Sequence, residues 1–152
     1  MSKELSRHEI REKALQALFP LDFNQELTKR DAINHALSLD QAEWVSEEED
    51  SFVPKYLDEL VDGVLNHKSE LDQIIQKHLR SNWSIQRIAK MDLIILRLGI
   101  YEMLYNTNVP NRVVLNEAIE LAKTFSDDQS RKFVNGILSN VMKEINEAGE
   151  NG

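Results

Sequence analysis

Asp127 with Asp128, and Glu117 with Glu120 about one helical turn apart, are carboxylate pairs of the type that general acid–base catalysis uses. The same residues serve as helix first-turn charges and solvated faces, and that is the reading adopted here. No phosphate loop, GxSxG elbow or dinucleotide glycine pattern accompanies them, so no catalysis is expected. Cysteine is absent from the 152 residues, which removes thiolate chemistry, disulfides and cysteine-ligated zinc. His8, His35, His67 and His78 show no paired-ligand spacing, and neither a metal nor another cofactor is expected.

The basic residues suggest different chemistry. Lys3, Arg7, Arg11 and Lys13 crowd the N-terminus, with Arg7 and Arg11 one turn apart beside an apolar stripe. Guanidinium forks match phosphate oxygens, although Glu4, Glu9 and Glu12 could equally engage these cations in helix salt bridges. A second group lies in Ser130-Arg131-Lys132-Phe133-Val134-Asn135-Gly136. Helix N-terminal amides favour anions, Arg131 and Lys132 add charge, and an exposed Phe133 can stack on a base. Alternatively Phe133 and Val134 are core, and Gly136 is small to let helices approach. Glycine inside a helix costs about 1 kcal/mol against alanine, so packing or a contact must account for it. Asp92, among apolar neighbours, is either a satisfied buried carboxylate or part of a partner surface. Trp44 and Trp83 read as core or capping aromatics, and Gly99 as a point of close helix approach.

The elements that must position these residues are helices. Ser6 and Glu9 form a capping box with Leu5 and Ile10 as a hydrophobic staple, and Ile10, Ala14, Ala17 and Leu21 recur at helical spacing. Pro20 is expected to end or kink this helix near Phe19. Thr28 and Asp31 open a short helix to about Leu39, and residues 40–50 read as an acidic loop. A third helix opens near Ser51 with Pro54 in its first turn, and Ser69 caps a fourth. Ile85 to Tyr105, apolar around nearly its whole circumference, is read as the central strut. On that helix Arg87, Lys90 and Arg97 fall within about 80° of one another. A sixth helix covers Val113 to Phe125, and a Ser126–Gln129 capping box starts the last, which runs to about Ile145. The fold class expected is all-α, with about seven helices.

The net charge is −8, but it is unevenly spread: residues 31–72 carry −10 and residues 73–112 carry +4. A basic surface able to neutralise phosphates is therefore compatible with an acidic total. The apolar run Leu93 to Leu96 is far short of the roughly 20 residues that span a bilayer, and MSKELSRHEIREKAL has no apolar signal core. No membrane association and a cytoplasmic location are expected.

Three blocks in register resemble the NusB family of transcription antitermination proteins. They are Arg11-Glu12-Lys13-Ala14-Leu15-Gln16-Ala17-Leu18-Phe19; Ile88-Ala89 with Asp92, Ile95-Leu96-Arg97 and Tyr101-Glu102; and Pro110 with Asn116-Glu117-Ala118-Ile119-Glu120-Leu121-Ala122-Lys123, Phe125 and Lys132-Phe133-Val134-Asn135-Gly136-Ile137-Leu138. The resemblance spans roughly residues 6–145. It implies two small packed helical bundles, here about 1–67 and 68–148, acting as one RNA-binding domain over 1–152. It further implies a non-enzymatic factor that pairs with the small-subunit ribosomal protein NusE. The pair binds single-stranded boxA RNA of ribosomal RNA operon transcripts and joins other Nus factors on RNA polymerase.

On this resemblance Lys3, Arg7, Arg11, Lys13, Gln129, Arg131, Lys132 and Phe133 are expected to face RNA, with Gln129 and Asn135 reading base edges. Asp92, Arg97 and Glu102 are expected on the NusE-facing surface, and Asp92→Lys to break that pairing with the helical signal intact. About four phosphate contacts would give a salt slope of roughly −3. Other readings are a helical protein-interaction adaptor and a stand-alone relative of the NusB-like domain of ribosomal RNA methyltransferases. His8, Glu9 and Ile10 interrupt the arginine-rich arm frequent in the family, and Gln129 stands where an acid is often found.

Overall fold

The computed structural model describes residues 5–39, 54–106 and 108–151, so Lys3, Trp44, Ser51 and the acidic 40–50 segment lie outside the described residues. Among the described residues there are seven α-helices and no strand: α1 (Arg7–Phe23), α2 (Lys29–Ser38), α3 (Lys55–Asn66), α4 (Lys68–Lys77), α5 (Lys90–Tyr105), α6 (Asn111–Phe125) and α7 (Asp128–Asn151). A 3-10 turn at Ile85–Arg87 precedes α5. The chain divides into two compact units, residues 1–63 and 64–152, the division falling within α3.

In the first unit α1 packs on α2. The start of α1 is fixed as expected: Ser6 Oγ accepts from the Glu9 amide at 3.1 Å and Glu9 Oε1 accepts from the Ser6 amide at 2.9 Å. Pro20 does not end the helix. The ring removes one amide donor, but the helix runs on to Phe23, and the Asn24 amide donates to the Pro20 carbonyl at 3.0 Å. Phe19 and Phe23, four residues apart, meet edge-to-face at 4.9 Å and reinforce the turn that the proline weakens. Thr28 caps α2 through the Asp31 amide at 3.1 Å. At the start of α3 the Pro54 carbonyl accepts from the Asp58 amide, which places Pro54 just before the helix.

In the second unit α5 is contacted by α4, α6 and α7. Every residue from Asp92 to Ile100 is buried, more than two full turns, so the helix is covered around its whole circumference. Gly99 permits that: a Cβ there would lie 3.0 Å from Leu138 Cδ1 and 3.7 Å from Ala118 Cβ. Close approach at Gly99 is thus as expected.

Three boundaries differ. The strut does not begin at Ile85, because the Gln76 side chain donates to the Trp83 carbonyl at 3.1 Å and accepts from the Ile85 amide at 3.2 Å. These bonds satisfy the segment outside an α-helix, and Ile88 and Ala89 are extended before α5 opens. α4 starts after His67 with no side-chain cap, and Ser69 lies inside it. The cap of α7 is Asp127, whose Oδ1 accepts from the Ser130 amide at 2.8 Å, while Ser126 closes α6.

Candidate nucleic-acid interface

In the first unit, α1 presents Arg7 to solvent with its guanidinium 4.0 Å from the centre of the Tyr56 ring. Arg11 and Lys13 are not beside it at the surface. They are 3% and 4% exposed. Ile10, Arg11, Lys13, Ala14, Leu15, Ala17 and Leu18 are all buried, and at 100° per residue they cover about 200° of the helix. A face that wide takes in the residues flanking the apolar stripe, so the expectation of two phosphate-binding cations there is corrected. Helical spacing located the stripe but not its width.

In the second unit, the first turns of α7 carry Gln129, Arg131, Lys132 and Phe133. Gln129 and Lys132 are exposed, Arg131 and Phe133 half-buried. Arg131 is held by its neighbour Asp128, both Nε and Nη2 lying 3.1 Å from Oδ1. Lys132 has no acid partner among the described residues and is the less encumbered cation of the two. The helix amide expected to attract a phosphate is engaged internally by Asp127. Hydrogen bonds from the Ser130 backbone and side chain hold that carboxylate below its ordinary pKa, as a capping anion at a helix N-terminus should be.

The turn between α6 and α7 is locked onto α5. Asp92 Oδ1 accepts from Ser126 Oγ at 3.1 Å, Asp92 Oδ2 accepts from Ser130 Oγ at 2.8 Å, and the two hydroxyls are 2.7 Å apart. Arg97 makes a two-pronged pair with Asp72, Nε to Oδ1 at 2.7 Å and Nη2 to Oδ2 at 2.9 Å. Asp92, Arg97 and Glu102 are 6%, 5% and 1% exposed. Asp92 and Arg97 are engaged by Ser126, Ser130 and Asp72 of their own unit, and Glu102 is buried, so none of the three presents an exposed side chain to a partner. Arg87 lies in the 3-10 turn and Arg97 in the interior, so the expected basic cluster with Lys90 does not form.

Trp83, read from the sequence as a core or capping aromatic, does not lie in the core. It is 41% exposed, and its ring lies 6.5 Å from that of Phe133. The absence of helical periodicity around it was the available signal. Gly136 also differs from expectation: a Cβ there would meet nothing within 4 Å, so packing does not require glycine. Its φ is not positive either. Gly136→Ala is therefore expected to raise stability by about 0.5–1 kcal/mol, which a thermal melt by circular dichroism would register as a higher Tm. An unchanged or lower Tm would contradict it.

Among the described residues no group of three His, Asp or Glu is placed to hold a metal ion, and no helix is long and apolar enough to cross a membrane.

Residues 8–143 match the model of the NusB family. The chain is 67% identical over 146 residues to the transcription antitermination protein NusB of Enterococcus faecalis, covering 95% of each chain. It is similar to the solved structure of NusB from T. maritima, with a TM-score of 0.77 at 29% identity over 93% of this chain and 94% of that one. A second solved structure, of antitermination factors NusB and NusE in complex with double-stranded RNA, gives a TM-score of 0.73 at 27% identity, over 91% and 96%. A match from α1 almost to the end of α7, joined to the all-helical build of both units, leads to one assignment: the chain belongs to the NusB family.

Proposed function

We propose that this chain is a non-enzymatic transcription antitermination factor that pairs with NusE and binds single-stranded boxA RNA of ribosomal RNA operon transcripts. The observation that carries the proposal is the 67% identity to an antitermination protein over 95% of both chains. An exposed cation and a half-buried aromatic at the start of α7 support the RNA role. In this reading the whole chain, 1–152, acts as one RNA-binding domain in the cytoplasm, without a cofactor. With NusE and the other Nus factors it then supports processive transcription by RNA polymerase.

Lys132 and Arg7 hold phosphates, giving affinity with little sequence information. Phe133 stacks on a splayed base, while Gln129 and Asn135 read base edges. Lys3 adds a further cation to the arm. Arg131 contributes after releasing Asp128, and Arg11 and Lys13 act by shaping α1 rather than by touching RNA. Asp92, Arg97 and Glu102, all buried, support the NusE-facing surface without being exposed on it.

The test is fluorescence anisotropy of a labelled boxA RNA, titrated with the protein with and without NusE at several salt concentrations. Binding is expected to strengthen with NusE and to weaken with salt. With Arg11 and Lys13 withdrawn, the four cations Lys3, Arg7, Arg131 and Lys132 remain, and at about −0.7 per contact they keep the expected slope near −3. Lys132→Ala is expected to lower the magnitude of that slope by about 0.7 and to leave the helical signal unchanged. An absence of RNA binding even with NusE would overturn the proposal and leave a helical adaptor.

A further inference from the structure

The segment between α4 and α5 is the least acidic part of the chain. No Asp or Glu occurs between Asp72 and Asp92, while Lys77, Arg80, Arg87 and Lys90 do. Arg80 and Arg87 are exposed, and neither has an acid partner among the described residues. Between them stands Trp83, the only tryptophan among the described residues, with 41% of its surface in solvent.

Its position is built rather than left over. The Trp83 amide donates to the Arg80 carbonyl at 2.9 Å, and its carbonyl accepts from Gln76 Nε2 at 3.1 Å. The Gln76 Oε1 takes the Ile85 amide, so one side chain braces the backbone on both sides of the indole. The ring lies 6.5 Å from Phe133 at an interplanar angle of 34°, within the range of interacting aromatic pairs. Phe133 lies beside the indole, and 41% of the tryptophan remains exposed to solvent. A large π-face held in place, next to a second aromatic and flanked by exposed arginines with no acid partner among the described residues, is what single-stranded nucleic acid needs: a base to stack and phosphates to neutralise. A protein partner of ordinary composition would not require a stretch so free of acids.

We infer that Trp83 is a base-stacking residue, extending the surface begun by Phe133 so that a single RNA strand continues from the start of α7 onto the α4–α5 segment between Arg80 and Arg87. The inference rests on the RNA-binding function proposed above and adds to it a second stacked base and a direction for the strand.

Binding of a labelled single-stranded boxA RNA, with NusE present, tests it on Trp83→Ala, Trp83→Leu and Trp83→Phe. Stacking is worth about 1–3 kcal/mol per base, so Trp83→Ala and Trp83→Leu are expected to weaken binding roughly 5- to 150-fold. Trp83→Phe should restore most of the affinity. Leucine keeps apolar bulk without a π-face, so a difference between Leu and Phe at equal Tm separates stacking from folding. In a Trp44→Phe background, which leaves Trp83 as the sole tryptophan, RNA is expected to quench its fluorescence. Wild-type RNA affinity in Trp83→Ala would overturn the inference while leaving the function intact, as would loss of NusE pairing with RNA affinity unchanged. Failure of the wild-type protein to bind RNA would instead remove both.

Discussion

Asp92→Lys is expected to unfold the second unit, with loss of the circular-dichroism signal at 222 nm or a collapse of the melting transition. The carboxylate is buried and receives both Ser126 Oγ and Ser130 Oγ, so it ties the α6–α7 turn to α5. Lysine removes the acceptor for both hydroxyls and introduces a cation with no counter-ion in a space shaped for a shorter side chain. Burying an unpaired charge in this way costs about 3–5 kcal/mol, against a total stability of about 5–15 kcal/mol for a typical domain. Asp92→Asn is expected to cost less, because the amide still offers one acceptor and the hydroxyls can rotate to meet its donor. A folded Asp92→Lys protein with its helical signal intact and only NusE pairing lost would refute this account. The sequence alone points to that outcome, and burial reverses it.

Arg97→Ala has the second-largest expected effect. Its guanidinium meets Asp72 through two parallel bonds of 2.7 and 2.9 Å, and the arginine side chain is 6% exposed. Removing one member of a buried pair leaves the other charge poorly solvated and costs about 3–5 kcal/mol; the 24% side-chain exposure of Asp72 puts the expectation near the lower end. Arg97→Lys should recover only part of the loss, since an ammonium cannot make the two-pronged geometry. Urea unfolding of Arg97→Ala, Asp72→Asn and the double variant checks this. The double variant is expected to be less destabilised than the sum of the single ones. Strict additivity would show that the pair contributes nothing.

Both predictions concern residues that were legible in the sequence as unusual but not as buried. Asp92 and Arg97 interrupt an apolar segment, and interruption alone is compatible with an internal pair or an external partner. The answer came from elements remote in the chain: Ser126 and Ser130 lie 34 and 38 positions from Asp92, and Asp72 lies 25 from Arg97. No local pattern contains that information. The same holds for Arg11 and Lys13, whose types suit phosphate but whose position falls within a buried face wider than its apolar stripe.

The sequence by itself determined what depends on neighbours within one turn. The capping box at Ser6, the cap at Thr28, the number of helices, the apolar build of α5 and the NusB family blocks are all written in residues a few positions apart, where local hydrogen bonding and side-chain spacing decide. Only the tertiary structure decided which charged residues face water and where the aromatics stand. Trp83 emerges at the surface because Gln76 and Phe133, 7 and 50 positions away, hold its backbone and its ring. Gly99 is filled against by α6 and α7, whereas Gly136, the same residue type in another helix, opens to solvent. Exposure is set by how many other elements converge on a residue, and that number is a property of the packed chain rather than of any segment of it.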